Sequence, residues 1–224
     1  MAQEYGPKVV TDGLVLSLDA ADKNSYPGSG TTWYDLSGAG SSNGAAQGSP
    51  TYSSAGGGSF DFDHESTDCF NVTLNKSYNN LDLTIENWCL LDNGAVDSML
   101  WCFRASGNGP DLYHSAGSNV IALNTWDGDA NTYDRTWTSH VDVWYHNVVT
   151  FEYGVDSKLY WDGTYQGDAN YASPYNDQLG VGGNFGAGTY SWSGLMANCR
   201  VYDRVLSTKE ISQNFNAQRS RFGI

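Results

Sequence analysis

Chemistry in this chain would start from its carboxylates. Asp61 and Asp63 stand two apart, with Glu65 and Asp68 following. Strand alternation puts residues i and i+2 on one side, so such a pair could face one ligand. Glycan hydrolysis needs two carboxyls flanking the scissile bond, as in a Glu-x-Asp-x-x-Glu strand. That motif does not occur here, and Phe60 and Phe62 take the other face of the segment. Asp63 is therefore expected to accept hydrogen bonds in a turn. His64, His114, His140 and His146 have no nucleophile-elbow motif near them, so no Ser-His-Asp triad is signalled. No catalytic residue is assigned, and the chain is expected not to be an enzyme.

Metal binding is the second chemistry to weigh. Asp127, Asp129, Asn131 and Asp134 place oxygen ligands at alternating positions. A curled loop of that kind can turn several oxygens towards one hard cation, so calcium is the candidate cofactor. The loop is not an EF-hand, because Thr132 stands where Gly is needed and Thr138 where a bidentate Glu is needed. Asp61, Asp63, Glu65 and Asp68 form a second oxygen-rich group.

Glycan binding is the third. Sugar rings stack on exposed aromatics while Asn and Asp read hydroxyls. Trp126, Tyr133 and Trp137 share one polar segment; Tyr165, Tyr171 and Tyr175 share another; Tyr190 and Trp192 follow a Gly-rich turn. Loop settings are expected for all of them. Two readings stand side by side: sugar platforms, or rings that cap the sandwich or contact a neighbouring subunit, where aromatics are also enriched. Trp88, Trp101, Trp144 and Trp161 sit in strand-like stretches and are expected in the core.

The elements that must carry these side chains are short strands. The chain has 224 residues, with 26 Gly, 15 Tyr, 8 Trp and 8 Phe. That composition suits strands and tight turns in one β-sandwich domain. Strands are expected near 14–19, 59–63, 69–74, 83–90, 98–104, 111–114, 119–124, 143–153, 157–161, 178–182 and 194–202. Asp162-Gly163 marks a hairpin turn. Residues 24–58, rich in Gly and Ser, are expected as a long ordered surface loop. Residues 1–12 are expected as a short lead-in lying against a neighbour, and 13–224 as a single domain.

The end of the chain is the clearest. From Gly194 to Tyr202, Leu195, Ala197, Cys199 and Val201 point one way in period 2, and Met196, Asn198, Arg200 and Tyr202 the other. Ser207 precedes Glu210 by three residues, which is a capping box, with Leu206 and Ile211 placed as a hydrophobic staple. One helix follows.

Net charge is −14, and only 5 of the 25 acidic residues are Glu. An acidic surface argues against nucleic acid and against anionic membranes. No long apolar run marks a membrane span. Met1-Ala-Gln-Glu-Tyr5 lacks the basic and apolar segments of a secretory signal. Cys69, Cys89, Cys102 and Cys199 form no Cys-x-x-Cys pair and are expected as buried free thiols.

Gly194-Leu-Met-Ala-Asn-Cys-Arg-Val-Tyr-Asp-Arg-Val-Leu-Ser207 resembles the closing segment of laminin-G-like domains in the concanavalin A-like lectin/glucanase superfamily. Gly13–Ala20, Tyr26–Gly38, Gly58–Asp63, Trp144–Thr150, Lys158–Gly163 and Leu179–Asn184 resemble other family pieces in order. The resemblance implies an all-β, concanavalin A-like jelly-roll sandwich of two antiparallel sheets with a short C-terminal helix. Relatives often carry Phe-Asp-Gly-x-Asp-Asp-Tyr near a calcium. This chain keeps Asp63 and Asp68 but has His64 in place of that Gly, and Ala197-Asn198 where many relatives have Asp-Glu. The loops and the Phe222-Gly-Ile224 ending resemble domains of tailed-bacteriophage structural proteins. That implies a virion location after synthesis in a host cytoplasm, with other virion proteins as partners in multiple copies. The two roles implied are capsid decoration or other head- or tail-associated structure, and an adhesin for host surface glycans. Hydrolysis is a distant third.

Overall fold

A computed structural model describes residues 7–40, 42–103, 109–126, 131–170, 176–186 and 190–224, with backbone alone for 125–126 and 131–137. The strands are β1 (Leu14–Asp19), β2 (Thr32–Trp33), β3 (Gly44–Gln47), β4 (Thr51–Ser53), β5 (Ser59–Phe62), β6 (Cys69–Thr73), β7 (Leu83–Leu91) and β8 (Ser98–Cys102). They continue as β9 (Gly109–Ser115), β10 (Val120–Trp126), β11 (Asn131–Thr138), β12 (Trp144–Glu152), β13 (Asp156–Trp161), β14 (Thr164–Ala169), β15 (Gln178–Val181) and β16 (Gly194–Tyr202). Helix α1 (Thr208–Gln218) closes the chain, followed by a 3-10 turn at Arg219–Phe222.

Two eight-stranded antiparallel sheets face each other. Sheet A runs β14-β13-β12-β7-β16-β5-β4, with β1 also on β16; sheet B runs β11-β10-β9-β8-β15-β6-β3-β2. This is the expected jelly-roll sandwich with one short C-terminal helix.

Strand alternation fills the space between the sheets. From β7, Leu83, Ile85, Cys89 and Leu91 enter the core, and they meet Leu100, Trp101, Leu112 and Ile121 from sheet B. The opposite face of β7 carries Thr84, Glu86 and Trp88, which are equally buried. They are covered by a third layer, made of α1, the 3-10 turn and the lead-in. Central strands therefore read as near-continuous burial rather than alternation.

The third layer is pinned at both ends. Ser207 accepts from the Glu210 amide while Glu210 reaches back to the cap, as the sequence predicts. Such a cap contributes about 1 kcal/mol. Phe222 and Phe215 stack on Trp88 at 4.1 and 5.7 Å. Residues 7–12 pack on their own domain. Val10 N–H donates to Asn214 at 2.8 Å, and the Gln213 amide donates to the Lys8 carbonyl at 2.7 Å.

Some expectations need correction. β11 and β14 are strands outside the expected set. A bulge between Met196 and Asn198 shifts the period of β16. Met196 enters the sandwich core with Cys199 and Val201, while Ala197 turns out to meet Trp88 and Phe222. One extra residue in a bulge reverses the faces on either side of it. The 24–58 segment is also not one loop. It contributes β2, β3 and β4, and Trp33 packs edge-on against Phe60 and Phe70 at 4.8 and 5.2 Å. All four cysteines are free and buried.

Candidate functional site

A polar cleft opens at one end of sheet A. It encloses about 790 Å³ and is lined by Asp61, Asp63, His64, Asp68, Asp92 and Asn93, with Ser49, Thr51 and Ser193 among the neutral groups.

Alternation in β5 sends Phe60 and Phe62 into the core and leaves Asp61 outside. The chain then turns. Asp63 Oδ1 accepts from the Glu65 amide at 2.9 Å, and its carbonyl accepts from Ser66. Asp68 is buried, and its oxygens accept from the amides of Ser49 at 2.6 Å and Asp63 at 3.3 Å. On the far wall, where β7 ends, Asp92 accepts from the Ser193 hydroxyl at 2.8 Å, and Asn93 caps the Ala95 amide at 2.9 Å. Three of the four carboxylates are thus engaged by loop donors. Partial burial pushes the Asp61 carboxyl up, and the charges of Asp92, Asp63 and Asp68 push it further.

Among the described residues, no Lys or Arg lines the cleft. Anions are repelled, and a ligand rich in hydroxyl donors is favoured. Among the described residues, no three His, Cys, Asp or Glu side chains converge as an ion-holding group. Asp63 and Asp68 each accept amide hydrogen bonds in the turns that shape the cleft.

The wall behind Asp92 explains an error in the aromatic reading. Trp192 is fully buried, and its indole N–H donates to the Leu90 carbonyl at 3.0 Å. It is an anchor and not a sugar platform. The neighbour it positions is Tyr190, which is 51% exposed and packs edge-on against Tyr113 at 5.9 Å. Tyr190 holds φ at +56°, an uncommon state for a bulky residue, and such outliers cluster at functional sites. The Ser191 hydroxyl donates to the Ser66 carbonyl at 3.2 Å, which ties this segment to the cleft rim.

The other aromatic candidates lie elsewhere. Trp126, Tyr133 and Trp137 fall on the β10–β11 hairpin, opposite Asn131, Asn124 and Ile121 respectively. Asn131 and Asp134 belong to β11. Paired strands, not loops, hold these positions. Tyr171, Tyr175, Asp127 and Asp129 lie outside the described residues. Asp92 and Asn93 were missed by sequence reasoning. Their signal was Asp-Asn-Gly after an apolar strand, which reads only as a turn.

A family model described as the concanavalin A-like lectin/glucanases superfamily matches residues 66–212. Domain 4 of AbnA, an extracellular arabinanase of Geobacillus stearothermophilus solved with arabinotriose, is similar with a TM-score of 0.69 and 14% identity. That likeness covers 91% of this chain and 98% of that one. Trypanosoma rangeli sialidase is similar with a TM-score of 0.68 and 18% identity, over 98% of this chain and 36% of the sialidase. The binding domain of botulinum neurotoxin serotype D gives 0.69 and 14%, over 93% of this chain and 53% of that chain. The chain thus spans about a third of the sialidase and about half of the toxin fragment. These identities speak for the fold. No curated protein sequence matches the chain.

Proposed function

Since this chain belongs to the concanavalin A-like lectin/glucanases superfamily, we propose that it is a non-catalytic glycan-binding domain whose site is the Asp61–Asp92 cleft. The observation that carries this reading is the lining itself: four carboxylates and Asn93 around an open cleft with no Lys or Arg among the described residues. Sugar hydroxyls donate to carboxylates, and an Asn amide serves both donor and acceptor hydroxyls. Tyr190 and Tyr113, joined to the rim through Ser191, offer the stacking surface such sites use. Two-carboxylate hydrolysis needs a matched pair left for the substrate. Asp63, Asp68 and Asp92 are each held in place by loop hydrogen bonds, which suits fixed acceptors for sugar hydroxyls.

The test is binding of purified protein to immobilised neutral oligosaccharides, with arabinotriose as first probe. Asp61→Asn and Asn93→Ala are each expected to weaken binding about tenfold, roughly 1.4 kcal/mol. Folded protein that binds no glycan, or binding untouched by both variants, would overturn the site. Release of shortened sugars would overturn the non-catalytic part. The titration is run with calcium and with chelator, because Asp127, Asp129, Asn131 and Asp134 keep ligand-like spacing. A calcium-dependent affinity would support a bound ion, and its loss in Asp129→Asn or in Asp63→Asn would tell which of the two oxygen-rich groups holds it.

The setting rests on the sequence resemblance to phage structural domains, carried by the loops and the Phe222–Ile224 ending. In that setting the glycan is on the host surface and the domain is displayed in many copies. Immunogold labelling of source particles tests it. Gold on fibres supports adhesion, gold over the head supports decoration, and unlabelled particles count against a virion protein.

A further inference from the structure

The opposite end of sheet A carries its own cleft. β7 has nine residues and spans about 30 Å at ordinary strand rise. Asp92 and Asn93, just past its last residue, line the first cleft. Leu81 and Asp82, just before its first residue, line a second, together with Lys76, Asn80, Tyr153 and Asp203. This second cleft encloses about 330 Å³.

Its aromatic wall is held in place. Tyr153 lies on the turn between β12 and β13 and is 54% exposed. Its N–H donates to Asp82 Oδ1 at 2.9 Å, which ties the turn to the start of β7. Gly154 at φ +73° and a bond from the Val155 amide to the Glu152 carbonyl at 3.0 Å close the turn. The facing loop is equally fixed. Tyr78 is buried beneath it, and the Leu81 amide donates back to the Tyr78 carbonyl at 3.2 Å. Lys76 Nζ lies 3.4 Å from Asp203 and 5.1 Å from the Tyr78 ring centroid. A ligand meets an arranged surface and loses little to ordering it.

We infer that this cleft is a second glycan subsite, taking one neutral pyranose ring against Tyr153. The apolar face of a sugar ring suits an exposed tyrosine. Its hydroxyls need donors and acceptors together, and Lys76, Asn80, Asp82 and Asp203 supply both. Leu81 is the single aliphatic side chain among the described residues of the lining. That is too little apolar surface for the buried anchor cluster of a protein interface. The inference takes its ligand class from the reading of the chain as a glycan binder, but none of its residues. Two subsites at opposite poles let one domain bridge two glycan chains, and a multivalent surface is then held by avidity.

The test is nuclear magnetic resonance on the whole ¹⁵N-labelled chain. Methyl glycosides of glucose, galactose, mannose and N-acetylglucosamine are each titrated to tens of millimolar, a range that reports weak sites. Saturable shifts are expected at the amides of Leu81, Asp82 and Tyr153. Tyr153→Ala is expected to weaken them at least about tenfold, and Tyr153→Phe, which keeps the ring, by less than about threefold. Neither variant is expected to alter shifts at Asp92 and Asn93. Silence at Leu81, Asp82 and Tyr153 with all four sugars overturns the subsite, as do shifts that persist in Tyr153→Ala. Silence confined to Asp92 and Asn93 counts against the first cleft and leaves this one standing.

Discussion

The Glu86 carboxylate lies 3.3 Å from the Arg200 guanidinium, beneath α1, with the Glu86 side chain shut off from solvent and that of Arg200 nearly so. His146 Nε2 stands 3.4 Å from the same carboxylate, and the Asn214 amide donates to it at 2.9 Å. Both charges sit on the outer face of sheet A, so the polar network joins the third layer to the sandwich together with the Trp88 stack. Removing one partner of such a pair leaves a buried charge and costs about 3–5 kcal/mol. Arg200→Met is expected to lose stability in that range by urea unfolding, and a loss under about 1 kcal/mol would show the pair to be dispensable.

The same carboxylate predicts acid sensitivity. Burial by itself raises the Glu86 pKa, but the hydrogen bond and charge of His146, the charge of Arg200 and the Asn214 amide outweigh it. They hold the group down from 4.5 to about 2. A carboxyl with a depressed folded pKa stabilises the fold above its unfolded value, and that stability is lost as pH falls through the folded one. Melting temperature is therefore expected to drop between pH 4.5 and about 2. Glu86→Gln should be less stable at neutral pH and flatter across that window. A variant that keeps the full acid slope would place the titration elsewhere.

Trp192 and Tyr190 should separate stability from binding. Trp192 is wholly buried, and truncating a buried Trp to Ala costs about 3–5 kcal/mol. Tyr190 is exposed with φ at +56°, a conformation glycine adopts freely. Tyr190→Gly is expected to keep or raise the melting temperature while lowering glycan affinity. Unchanged affinity would remove Tyr190 from the site.

Much of this fold could be read before any coordinates. The capped helix, the Asp162-Gly163 turn and strands such as β7, β12 and β16 announce themselves through spacing and turn chemistry. β2, β3 and β4 do not, because Thr-Trp, Gly-Ala-Ala-Gln and Thr-Tyr-Ser carry no apolar alternation, and the partner strand decides their pairing. The bulge in β16 is silent for a different reason: Met196 and Ala197 fit either face by type, and only packing against Trp88 chooses. Aromatic type also says nothing about direction. Trp192 and Tyr190 follow the same Gly-rich turn, one a core anchor and the other exposed. The cleft joins residues from Ser49 to Ser193, and no local pattern spans that distance.

Gly180 gives the last prediction, because it governs access to two thiols. A Cβ there would stand 2.3 Å from the Gly183 carbonyl oxygen and 2.6 Å from the Phe185 nitrogen. The 182–186 loop lies on sheet B only because that side chain is missing. The same loop covers two cysteines. Cys69 Sγ lies 3.7 Å from the Asn184 carbonyl, and Cys102 Sγ accepts from the Phe185 amide at 3.4 Å. Burial pushes the Cys69 thiol up to about 12, with Cys102 and Asp68 adding to it. Thiols of that kind are inert. Cys89 and Cys199 lie instead between the sheets. The native protein is therefore expected to resist iodoacetamide at all four positions. Gly180→Ala must lift the loop, and peptide mass analysis should then find Cys69 and Cys102 alkylated, with Cys89 and Cys199 still protected. Equal labelling of all four would mean global unfolding, and no labelling would mean the loop holds its place without the glycine.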